Sequence, residues 1–128
     1  MFTIAELKSN VEATVPYTYY INEFPATGAD NSAYVRITGG FAPSQWTPQL
    51  RPSFQVVVRA KTTAQAETVA LAIWNAYHQR RAFNIGSQRI VATFADQPIP
   101  LYLGVDDNKR ALYSVNFTAR FLNGVSRP

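Results

Sequence analysis

One histidine, eight carboxylates and no cysteine are what the 128-residue chain offers to catalysis. A Ser-His-Asp arrangement or an imidazole-based metal site would have to be built on His78 alone. No Asp, Glu or Ser stands within one helical turn of it, so His78 reads as a surface or interface residue. Paired carboxylates for hydrolysis would come from Asp96, Asp106 and Asp107. Asp106-Asp107-Asn108-Lys109, however, is turn chemistry, in which Asp bonds the local backbone. It also lacks the D-x-D-x-D-G spacing and closing glutamate of a calcium loop. Gly28 and Gly39-Gly40 form neither a GxGxxG nor a GxxxxGK[ST] phosphate cradle. Without cysteine, thiol catalysis, disulfides and iron–sulfur ligation are excluded. The expectation is a non-enzyme, with no catalytic, cofactor-binding or metal-ligating residues.

The chemistry that remains is recognition. Apolar residues make up 47% of the chain and charged residues 16%, with eight Phe, seven Tyr and two Trp. That balance suits a surface that becomes buried on association as well as it suits an aromatic core. Residues 1–50 hold two cations against four anions, net −2, and residues 51–128 ten against four, net +6. Nine of the twelve cations are Arg, whose rigid fork suits fixed pairing across an interface. A nucleic-acid partner is the other reading of a basic, aromatic C-terminal part, but its arginines are scattered singly apart from Arg80-Arg81, and no nucleic-acid-binding motif is present.

The elements that must position these residues follow from pattern. Thr3 and Glu6 predict a capping box, opening a short helix to about Thr14 with Ile4, Leu7 and Val11 on one face. Residues 17–24 and 33–38 read as the two strands of a hairpin across the turn residues 25–32. Residues 41–52 hold three prolines yet carry Phe41, Trp46 and Leu50. Such a loop should dock on its own domain or on a neighbour. Phe54–Ala60 is the clearest strand. Thr62 and Thr63 offer N-cap oxygens to a long helix from Ala64 to about Arg81, with Ala66, Val69, Ala70, Ile73 and Tyr77 on its apolar face and Arg80-Arg81 at the basic end of its dipole. Strands follow at Gln88–Ala95, at 98–103 (proline-flanked and edge-like) and at Ala111–Leu122, and residues 123–128 should fray. In the final strand Tyr113, Val115 and Phe117 share one face, and Ser114, Asn116 and Thr118 the other. The sum predicts one α+β domain over residues 1–128. It would be an antiparallel or mixed β-sheet packed on one face by a long α-helix, with a short N-terminal helix and a β-hairpin extension. The start has no basic, apolar leader and no run nears 18 apolar residues, so a soluble protein made in the cytoplasm, with no membrane partner, is expected.

From Pro52 onward the chain resembles the tail-terminator and minor-capsid (head–tail joining) proteins of tailed bacteriophages. Three features carry the likeness: the strand Pro52-Ser53-Phe54-Gln55-Val56-Val57-Val58-Arg59 leading into an Ala-rich helix, that helix followed by a spacer and a strand, and the turn 100–110 (PLYLGVDDNKR) running into Tyr113-Ser114-Val115-Asn116-Phe117. The resemblance implies a structural virion protein of the tail–neck junction, assembled in the host cytoplasm. It would form a ring, expected to be a hexamer, that caps the tail tube, stops its polymerisation and joins the tail to the head connector. The implied partners are further copies of itself, the tail tube protein and the connector or stopper protein, with DNA only as cargo through the lumen. A head-completion or stopper protein, a tail-tube subunit, and (from another class) a small nucleic-acid-binding module are the alternatives. On this reading Phe41, Trp46, Leu50 and Arg51 in the loop, with Arg80, Arg81, Arg89 and Arg120, are the interface residues.

Overall fold

The capping box forms as its residues require. In the computed structural model, which describes residues 1–122, helix α1 (Ile4–Thr14) opens with Glu6 N–H donating to Thr3 Oγ1 (3.2 Å) and Thr3 N–H donating to Glu6 Oε1 (2.9 Å). Leu7 and Val11 are buried, with Ile4 packed beside them. The other oxygen of Glu6 accepts from Ser87 N–H (3.2 Å). Gly86, at φ +59°, lies so close to that carboxylate that a Cβ there would overlap it. The fraying expected of residues 123–128 lies outside the described residues.

Eight strands form one mixed sheet: β1 (Tyr19–Ile21), β2 (Ser32–Gly40), β3 (Gln49–Leu50), β4 (Pro52–Ala60), β5 (Arg80–Ile85), β6 (Gln88–Ala95), β7 (Leu101–Val105) and β8 (Ala111–Leu122). Helix α2 (Thr63–Tyr77) joins β4 to β5. The sheet order is β1-β2-β4-β8-β6-β5, with β3 and β7 also pairing with β8. β8 is the spine: β7 pairs along Ala111–Ser114, β6 along Phe117–Arg120 and β3 along Phe121–Leu122.

The predicted α+β class, mixed sheet, short N-terminal helix and long covering helix are all present. Ala66, Ala70, Ile73 and Tyr77 of α2 are buried in the same core as Leu7 and Val11 of α1 and the inward residues Val56, Val58, Val115 and Phe117. At its centre the rings of Phe54, Tyr77 and Phe117 meet at centroid distances of 5.2–5.8 Å. The opposite face of β4 and β8 is covered by no helix and is hydrogen-bonded within itself. There Ser114 Oγ accepts from Gln55 Nε2 (2.9 Å) and Asn116 Nδ2 (3.0 Å), and Thr118 Oγ1 donates to Asp96 Oδ1 (2.7 Å).

Three local readings are corrected. The segments read as a hairpin are not one: β1 pairs with β2 in parallel, Tyr20 opposite Tyr34, and the antiparallel partner of β2 is β4, Val35 opposite Val56. The hairpin is therefore β2–β4, with the proline-rich segment as its tip. Gly40 (φ +117°) makes that tip possible, because a Cβ would collide with the backbone of Arg51 and Pro52. Second, the long helix stops at Tyr77, with His78 as C-cap and Gln79 in left-handed backbone at φ 58°. Third, Arg80 and Arg81 consequently belong to β5 and not to a helix end. Ala82 holds left-handed backbone (φ 53°) within β5, between Arg81, which pairs with Ala92, and Phe83, which pairs with Ile90, with the register unbroken.

Candidate functional site

The side chains with catalytic potential are occupied in structural contacts. His78 stacks on Trp74 at 4.5 Å, and its Nδ1 accepts from Ala95 N–H (3.1 Å), fastening the end of α2 to β6. Asp106 accepts from the backbone N–H of Asn108 (3.0 Å) and Arg110 (2.9 Å) and from Arg110 Nε (2.8 Å). Partial burial works against its charge, but those bonds prevail and hold the carboxyl below the usual range. The predicted turn is thus an Asx turn locked by its own arginine. Among the described residues, no group of three His, Asp or Glu converges as for a metal, and no helix is long and apolar enough to cross a membrane.

What the surface does present is apolar and cationic, at the two ends of β8. The first site surrounds the β2–β4 tip. Residues 41–48 are exposed throughout, and Trp46, 84% exposed, is buried against none of the described residues. Local bonds shape it: Trp46 N–H donates to Ser44 Oγ (3.0 Å) and Gln49 N–H to Thr47 Oγ1 (2.9 Å). Leu50 sits in β3 and packs against the core. Beside the loop, Phe41, Arg51, Phe94, Asp96, Thr118 and Arg120 line a cleft of about 210 Å³. Arg51 lies 4.5 Å over the Phe41 ring, while Arg81 and Arg120 lie 5.4 and 5.2 Å over Phe94. Arg89 is exposed, reaching Asn84 Oδ1 at 3.4 Å. None of Arg51, Arg81, Arg89 and Arg120 has a carboxylate within 4.0 Å among the described residues.

Of the eight residues singled out in the sequence, Phe41, Arg51 and Arg120 share this cleft, with Arg81 over the same Phe94 ring. Trp46 lies further along the loop, and Arg89 lies at the other end of β6, opposite Asn84. Arg80 is turned away: it donates to Thr14 Oγ1 (3.2 Å) and lies 4.0 Å over Phe83, so its cation faces the C-terminal end of α1. Sequence reasoning missed Phe94, because the alternation of β6 groups it with Ile90 and Ala92, both buried, and so with the core.

It also missed the second site. Here β7, whose partner among the described residues is β8, exposes Leu101, Tyr102, Leu103 and Val105 (60%), and Ile99 (63%) is exposed just before it. Between β7 and α2 runs a groove of about 450 Å³, lined by Glu67, Leu71, Ile99, Leu101, Tyr102 and Tyr113. The signal was legible. An unbroken apolar run on a proline-flanked edge strand puts large side chains on both faces, where one face at most can be core.

A mixed sheet covered by one long helix, with uncovered apolar side chains at its ends, is the architecture that comparison now places. The family described as "Bacteriophage tail terminator protein" matches over residues 6–123. The chain belongs to that family. It is accordingly a virion component, a structural protein of the tail. No curated protein sequence matches it. Among solved structures, a chain from "Virion of native gene transfer agent (GTA) particle" is similar in fold at a TM-score of 0.62 and 18% identity, covering 88% of this terminator chain and 84% of that one.

Proposed function

We propose that the protein, as a single terminator domain over residues 1–128, closes into a hexameric ring on the end of the tail tube. There it stops tube growth and presents its far side to the head connector. The DNA passes through the lumen as cargo. Membership of the terminator family supports the tail role, and the placement of uncovered apolar and cationic groups supports the ring. That placement is the observation that carries the reading: one uncovered set lies at the loop end of β8, with Trp46, Phe41 and the unpaired arginines, and the other lies on β7. Two different, non-self-complementary patches make heterologous contacts, which close a ring when the rotation per copy divides the circle. The work is then geometric and not catalytic: one ring face matches the tube subunits, and the other no longer accepts them.

Light scattering across a concentration series tests the ring directly. A rise from 14.3 kDa toward six times that mass, about 86 kDa, is expected. Purified tail-tube protein polymerised with the ring present should give short tubes of uniform length, each bearing one ring at its end by electron microscopy. Tubes that grow to the same lengths with and without the protein would contradict capping.

A further inference from the structure

Resting on that ring reading, we infer that neighbouring copies join by a knob in a groove: Trp46 of one copy seats between α2 and β7 of the next, and Arg51 of the first faces Glu67 of the second. The knob is an indole exposed at the tip of a loop with no charged residue from 41 to 50, stiffened by Pro43 and Pro48. It is 84% exposed among the described residues. The groove is apolar on Leu71, Ile99, Leu101 and Tyr102, with room for an indole. Glu67 is its one charged side chain: it accepts from Tyr113 Oη (3.2 Å) and has no cation within 4.0 Å among the described residues. A carboxylate there can accept an indole N–H and an arginine together.

The two features cannot meet within one chain. Leu101 pairs with Ser114, and Leu50, next to the loop, pairs with Phe121. At about 3.3 Å per residue, seven residues of β8 separate these positions by about 23 Å. Charge follows the same axis. The loop end carries Arg51, Arg81, Arg89 and Arg120 without carboxylate partners. At the groove end, Asp30 and Asp106 pair with Lys61 and Arg110 and Asp107 stands two residues from Lys109, so the local excess is confined to Glu67, a carboxylate inside the groove without a cation within 4.0 Å among the described residues. A molecule with a knob beside unpaired arginines at one end, and an apolar groove holding one carboxylate at the other, is complementary to a second copy placed head to tail.

Mixing two assembly-defective variants tests the contact. Trp46→Ala removes the knob and keeps the groove, whereas Leu71→Arg blocks the groove and keeps the knob. Both positions are exposed, so thermal melts should match the wild type. Each variant alone should associate about thirtyfold more weakly per contact, the effect of losing a central Trp anchor. Mixed, they should give a dimer of twice 14.3 kDa, about 29 kDa, and nothing larger, because one competent knob meets one competent groove. As a second route, Arg51→Glu and Glu67→Arg should each weaken assembly, and the double variant should restore it. Variants that form rings like the wild type, or a mixture that stays monomeric while the wild type assembles, would overturn the knob and groove and leave the ring standing. A wild type that is monomeric at every concentration would overturn the ring reading itself.

Discussion

At the end of α2, Gln79 (φ 58°) and Ala82 (φ 53°) hold left-handed backbone with a Cβ attached. That conformation costs an L-residue about 1–2 kcal/mol, and glycine would give back about 0.5–1 kcal/mol of it as chain entropy in the unfolded state. Ala82→Gly is therefore expected to stabilise the fold by about 0.5–1 kcal/mol, raising the melting temperature by a few degrees, as calorimetry would show. A lower melting temperature would mean that the Ala82 methyl contributes more than its strain costs. The hydroxyl of Tyr17 is the second residue-scale lever. It donates to the Arg59 carbonyl (2.7 Å), and burial pushes its pKa up to about 12 despite the opposing pull of the Arg59 charge. Burial raises Tyr19, which donates to the Val15 carbonyl, in the same direction. Because the folded state holds protons that an unfolded tyrosine releases near pH 10, this stability is complete below pH 10. It is lost as pH rises from about 10 to 12. Denaturant midpoints should fall across that window, less steeply in Tyr17→Phe. A midpoint that stays flat through pH 12 would refute the argument.

At the scale of elements, Arg59 on β4 ties down the connection between β1 and β2. Its guanidinium is buried, lies 4.0 Å over Phe24, and donates to the Ala29 carbonyl (2.6 Å), the Asp30 carbonyl (3.3 Å) and Ser32 Oγ (3.3 Å). Arg59→Met should cost about 2–3 kcal/mol, since the carbonyls lose charge-assisted donors, and should make residues 22–31 the first site of limited proteolysis. Equal protease resistance would show that the connection is held by something else. This connection also explains what pattern reading missed. Turn residues between two strands predict a hairpin, but ten intervening residues gave β2 enough chain to return parallel and to leave its antiparallel edge to β4. The extents of β6 and β8 and the start of α1 were legible because alternation and a capping box are local signals. The end of α2 was not, because its left-handed residue is Gln79 and not the glycine that marks such a stop. That hid β5 and placed Arg80 in a helix. The loop residues Phe41, Trp46 and Arg51 could be picked out because apolar side chains among prolines have no element to bury them. The exposed run of β7 was legible in the same way, but the groove it forms is a tertiary juxtaposition with α2 that no single stretch of sequence displays.

For the whole molecule, the proposed head-to-tail ring would be sensitive to salt, because it sets an arginine-bearing end against Glu67. Screening lengths shrink from about 10 Å at 0.1 M to about 3 Å at 1 M, and head-to-tail attraction between an arginine-bearing end and a Glu67-bearing end weakens with them. Sedimentation should show association falling by about tenfold over that range if rim charges steer it, with the apolar contact persisting. Assembly that strengthens with salt would assign the interface to apolar contact alone. The helix-free sheet face between the two ends bears on the same question differently. Ser53, Gln55, Ser114, Asn116 and Thr118 already bond to one another or to Asp96 and Gln97. A subunit that landed on this face would have to break bonds inside its neighbour before forming any with it. On the proposed ring, the polar groups between the two ends are therefore already spent within the subunit, and a neighbour gains most by seating at the ends of the strands.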